Sequence, residues 1–203
     1  MNKREFLAKL GERIRTSPVL GEFSRRGEDT WSRQVGDAFQ VIWFQKHTSR
    51  NECCVGLGVH FDFIPLEAGP EGPSIAMPQM KCGIRWRLTE KTKTDQWWAF
   101  SDESIDQIVR LLVSPGLPAF AQRTSKLIAR AVAPKDIKDR PLPPALADLT
   151  KTRASLLLAR IHEARGDLPA AKDFAEVGLE LTGAVVGAGL RKHFTDIIER
   201  CRK

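Results

Sequence analysis

The spacing of apolar positions changes along this chain and predicts a helix, then a run of strands, then a long helical stretch. Phe6, Leu7, Leu10 and Ile14 recur three and four residues apart, which predicts an amphipathic helix ended by Ser17-Pro18. From Thr30 the period becomes two. A strand over Thr30 to Val35 reaches a turn at Gly36-Asp37, and Ala38 to Lys46 is apolar on both faces, as a central strand is (Phe39, Val41 and Trp43 against Ala38, Ile42 and Phe44). The third strand alternates most cleanly. Cys53, Val55, Leu57, Val59, Phe61 and Phe63 take one face, and Cys54, Gly56, Gly58, His60 and Asp62 take the other. An acidic loop rich in Pro and Gly, about Pro65 to Gln79, leads to a fourth strand in which Cys82, Ile84, Trp86 and Leu88 alternate with Gly83, Arg85, Arg87 and Thr89. Lys91 to Asp95 reads as a hairpin loop, and Gln96 to Phe100 closes a meander of about five antiparallel strands.

From Ser101 the period is helical. Ser101 is a cap, Asp102 and Glu103 sit where a helix dipole favours acid, and Ile105, Ile108, Val109 and Leu112 form the stripe until Pro115-Gly116. A further helix begins near Pro118 and carries Phe120, Leu127, Ile128 and Val132. Ala133 to Pro144, with four prolines among charges, reads as a semi-rigid linker. Beyond it Leu158, Ala159, Gly166-Asp167, Ala171, Gly178 and Leu181 resemble one tetratricopeptide unit, a helical hairpin, with His162 and Ala175 where a Tyr and a Phe are usual. A last helix bears Val186, Leu190, Phe194, Ile197 and Cys201. The expected fold class is α+β. An antiparallel sheet domain with flanking helices spans residues 1–132, a linker 133–144, and a three-helix extension 145–203 that is expected to dock on the sheet domain, or else on a partner, because one hairpin cannot bury itself as a solenoid.

Composition sharpens this division. All five Trp and six of the ten Phe fall between Phe23 and Phe100, where strands are expected, and the chain has no Tyr, so phenol chemistry is excluded. The net charge of +7 is unevenly spread: residues 121–160 carry +6, while 51–80 carry −4 and 161–190 carry −3. The charge-free run Leu181 to Leu190 is about half the length a membrane span needs, and Glu5, Glu12, Arg13 and Arg15 break any secretory apolar run. Cys53, Cys54, Cys82 and Cys201 have no disulfide-framework or zinc spacing, which suits reduced thiols in a cytoplasmic protein with no metal and no cofactor.

Several segments between residues 5 and about 130 resemble, in order and spacing, the bacterial family catalogued as domain of unknown function 4304. They are the opening helix, Arg26-Gly27 to Trp31 with Arg33, the run Val41 to Gln45, the strand Val55 to Val59, the run Cys82 to Leu88, and Trp97-Trp98 before a helix. The resemblance implies an α+β domain and no established activity. Some relatives of such domains sit with toxin-immunity or defence loci, which points toward a protein-binding role.

Nucleotide-loop, zinc-protease and nucleophile-elbow motifs are absent from the sequence. Asp136-Ile137-Lys138 matches the end of a nuclease signature but lies in the expected linker, and His60 and Cys54 share a face without a third catalytic member, so no catalytic residue is assigned. The best candidate surface is the non-core face of the third and fourth strands. There Gly56, Gly58 and His60 meet Arg85 and Arg87, two guanidinium forks over small residues that would hold a carboxylate, a phosphate or a partner. Trp98, one of a pair straddling the sheet, is added as a partner anchor. The expected function is a non-enzymatic protein-interaction module with an immunity or defence association. The alternative is a nucleic-acid-binding accessory protein using the basic stretch 121–160.

Overall fold

The computed structural model describes residues 1–66, 73–74, 76, 78–90, 95–183 and 188–202. The chain divides into two compact units, Met1–Ala121 and Gln122–Lys203.

In the first unit, helix α1 (Lys3–Thr16) starts where Asn2 accepts a hydrogen bond from the Glu5 N–H, and it buries Phe6, Leu7, Leu10 and Ile14. A sheet follows, built from β1 (Ser24–Arg25), β2 (Thr30–Val35), β3 (Ala38–Lys46), β4 (Glu52–Phe61), β5 (Ile84–Arg87) and β6 (Trp98–Ala99). The first five strands lie in chain order and pair antiparallel. The last does not extend the meander beyond β5 but returns to β4, where Glu52 faces Ala99 and Cys53 faces Trp98. The expected hairpin residues 91–94 lie outside the described residues. Strand β1 has only two residues, too few for an alternation pattern to reveal.

Register fixes two faces. Trp31, Ile42, Leu57 and Trp86 form one row across β2 to β5. This face carries the core: Phe6 packs on Phe100 with ring centroids 5.0 Å apart, Trp31 meets Phe44 at 5.1 Å, and Phe120 touches both Trp86 and Phe23. The covering helices include α2 (Asp102–Leu111), capped by Ser101, and α3 (Leu117–Ala121), joined through a bent turn, Leu112–Gly116.

The second unit begins inside what the apolar spacing suggests is one helix. Thr124 accepts a hydrogen bond from the Leu127 N–H and starts α4 (Ser125–Ala129), while the neighbouring Arg123 is buried and paired with Asp148 at 3.2 Å. The expected linker contains α5 (Pro134–Asp139), which buries Ile137 completely: Pro134 occupies the helical start that tolerates proline, so the prolines frame a helix instead of excluding one. Helices α6 (Lys151–Ala164) and α7 (Leu168–Leu181) form the predicted hairpin, turned by Gly166 at φ 77°, and α8 (Ala188–Arg200) packs on α7 through buried Phe194. Val186, expected on that last helix, lies outside the described residues. Among the described residues no helix is long and apolar enough to cross a membrane.

Candidate functional site

On the second face of the sheet the rows read Thr30, Trp43, Gly56, Arg87 and Ser32, Val41, Gly58, Arg85. Directly opposed residues in an antiparallel pair share a face, so the two glycines and two arginines lie on one surface. The chain itself covers much of that surface.

A single turn of helix, Gln79–Lys81, lays Gln79 and Cys82 over the glycines. A methyl group on Gly58 would lie 2.7 Å from the Cys82 sulfur and 2.9 Å from its Cβ, and one on Gly56 would lie 3.3 Å from the Gln79 amide. The Gln79 side chain donates to the Leu57 carbonyl at 3.1 Å, and Cys82 joins Phe39, Val41 and Leu66 in a small apolar cluster. His60, buried, ties this segment to the turn after β4 through its two ring nitrogens: the Gly83 N–H donates to Nδ1 at 3.2 Å, which leaves Nε2–H to donate to the Ile64 carbonyl at 2.8 Å. Arg85 donates to the Met80 carbonyl at 2.9 Å. The open groove expected over Gly56, Gly58 and His60 is thus filled, because residues without bulk on one strand are where a neighbouring segment can approach the backbone.

Toward the other end of the face, beyond Gln79, the surface is partly open. Arg87 donates to Gln45 Oε1 at 2.7 Å, pairs with Asp95 at 3.3 Å and stands 5.9 Å from the Trp43 ring centroid. Gln45 also accepts from the Cys54 thiol at 3.7 Å. Burial pushes that thiol above its ordinary range and the Arg87 charge offsets part of the rise, so Cys54 is a protonated, buried group and no poised nucleophile.

The tryptophan pair resolves opposite to the expectation. Pairing with Cys53 turns Trp98 to the helix side, where it is 3% exposed and donates from Nε1 to Gln107 at 3.0 Å; a buried indole cannot anchor a partner. Trp97 takes the other face, half-exposed, with the His47 ring edge-on at 4.8 Å. Trp43, Trp97, Arg87, Gln45 and Asp95 therefore line this accessible end of the surface, with Arg85 exposed farther along it, and of these Arg85 and Arg87 were the candidates from the sequence. Period-two parity was the available signal for Trp43. For the Trp97-Trp98 pair, parity says that one indole faces outward but not which, since the register of a two-residue strand depends on which neighbour it joins.

The remaining candidates are structural. Asp136 pairs with Arg140 and Lys138 with Glu180, on a helix whose buried position is Ile137 between them. Among the described residues no group of three or more His, Cys, Asp or Glu side chains is placed to hold a metal.

No curated protein and no solved structure matches the chain. A family model described as a domain of unknown function, DUF4304, matches residues 19–122, just over half of the sequence. The match ends within one residue of the boundary of the first compact unit and contains every strand described above. With that span and this antiparallel sheet, the chain belongs to the DUF4304 family.

Proposed function

We propose that the protein is a non-enzymatic interaction module that binds a protein partner through the half-exposed Trp43 and Trp97 beside Arg87. The supporting observation is this cluster. Tryptophan and arginine dominate binding energy at protein interfaces, and here each is held by the sheet before any partner arrives, so little conformational freedom is lost on binding. An immunity or defence association is part of the same reading and rests on the family resemblance, and a cytoplasmic location rests on the irregularly spaced cysteines. Affinity capture with the full chain, followed by mass spectrometry, tests it. Wild type retains a specific partner and the Trp43→Ala/Trp97→Ala variant loses it; equal capture by both ends the proposal.

A second reading, nucleic-acid binding, draws on charge. Residues 122–203 hold 16 Lys and Arg against 10 Asp and Glu, so nearly all of the +7 belongs to the second unit. Phosphate contacts make affinity fall steeply with salt, and a salt titration against duplex and single-stranded oligonucleotides separates the two readings.

A further inference from the structure

Strand β5 ends the sheet order, and its outer edge bears main-chain groups that nothing among the described residues takes up. The Leu88 N–H donates to the Val55 carbonyl at 2.9 Å. Hydrogen-bonded pairs alternate along an antiparallel ladder, so Trp86 and Ile84 are the next residues to bond β4. The main-chain N–H and C=O of Arg85 and Arg87 therefore point outward. The preceding outward N–H, that of Gly83, is already held by His60.

The strand and the turn leading into it carry charge of one sign, with carboxylates only beyond them at Glu90 and Asp95. From Met80 to Thr89 the chain carries Lys81, Arg85 and Arg87 and no carboxylate. Arg85 is exposed and Arg87 half-exposed, and the Arg87–Asp95 pair shows that a carboxylate fits against the strand. A second copy pairing about Trp86 would set Arg85 of one chain against Arg87 of the other, and like charges directly opposed disfavour it. A strand with acidic residues at alternate positions places carboxylates beside the same guanidinium groups while its main chain fills the open edge.

We infer that β5 accepts an extended acidic segment of a protein partner as an added strand, with main-chain pairing through Arg85 and Arg87. The inference rests on the interaction reading above and deepens it by naming the partner's chemistry.

The test uses the full chain and a labelled short peptide of alternating Thr and Glu, with a Thr-Lys peptide as control, read by fluorescence anisotropy and amide hydrogen exchange. The glutamate peptide binds, the lysine peptide does not, and the Arg85 and Arg87 amides gain about tenfold protection. Arg85→Pro removes an outward donor without touching a bond to β4 and weakens binding about tenfold. Arg85→Glu/Arg87→Glu leaves the main chain intact and reverses the peptide preference. Binding without protection of those amides, wild-type affinity in Arg85→Pro, or oligothymidine binding with the same dependence on both arginines overturns the inference. Loss of the captured partner in Trp43→Ala/Trp97→Ala with retention in Arg85→Pro refutes the edge alone. Peptide binding with edge protection, but no partner captured by wild type, supports the edge and refutes the broader reading.

Discussion

At position 58 the absence of one methyl group decides how the segment Gln79 to Cys82 meets the sheet. Gly58→Ala would push its Cβ into the Cys82 side chain close to the backbone, where Cys82 has little freedom to retreat, and the expected cost is about 1–3 kcal/mol in urea unfolding. Gly56→Ala meets only the flexible ends of Gln79 and Arg87, at 3.3 and 3.4 Å, and costs less. Adding Cys82→Ala to Gly58→Ala recovers part of the loss, and a double-mutant cycle measures the coupling. The buried thiols supply a pH test. Burial pushes Cys53 and Cys82 up to about 12, so in the folded protein they hold their protons where the unfolded chain has released them. Their contribution is intact below about pH 9 and is lost as pH rises toward 12, by about 1.4 kcal/mol per pH unit for each thiol. Unfolding midpoints from pH 8 to 11 should show that slope in wild type and a reduced slope in Cys53→Ala/Cys82→Ala. Alternation alone places Gly58 opposite the core face. That Cys82, two dozen residues later, occupies the space above it depends on a long-range contact that no local pattern encodes.

Among the helices, the α7–α8 packing depends on another missing side chain. A methyl group on Gly178 would lie 2.2 Å from the Phe194 ring, so the two helices touch where neither has room to spare. Gly178→Ala is expected to destabilise the second unit by about 2 kcal/mol or more, and Phe194→Leu added to it should lessen the loss, as circular dichroism melts will show. The hairpin itself is local. Asp167 caps α7 by accepting from the Ala170 N–H and also binds His162, whose ring stacks on Phe174 at 5.2 Å. His162 stands where the tetratricopeptide pattern has a larger aromatic, and Phe174, the neighbour of Ala175, supplies the ring instead. These small residues and the turn were legible because a helical hairpin repeats at short range. Helix α5 was missed because four prolines outweighed a six-residue pattern with one buried position.

At the scale of the molecule, the family span and the compact unit differ at one end. Residues 19–122 omit α1, yet Phe6, Leu7, Leu10 and Ile14 are all buried and Phe6 packs on Phe100. A fragment of residues 1–121 should unfold cooperatively with dispersed amide resonances, whereas 19–122 should be destabilised by several kcal/mol, at about 1.5–3 kcal/mol for each large apolar side chain that loses its cover. Equal stability of the two fragments would mean that α1 adds nothing. The charge distribution belongs to this scale as well, since 16 of the 32 basic residues fall in each unit but 15 of the 25 acidic ones fall in the first. By itself the sequence determined the α+β class, the long strands and their two faces, the capped helices and the hairpin, because periodicity, capping and turn chemistry act over a few residues. Tertiary structure alone decided that β6 joins β4, that Trp97 and not Trp98 faces outward, that the loop's own Gln79 and Cys82 fill the glycine surface, and that no strand among the described residues pairs with the outer edge of β5. Each of these depends on which distant segment packs against a strand and so excludes the others from its surface.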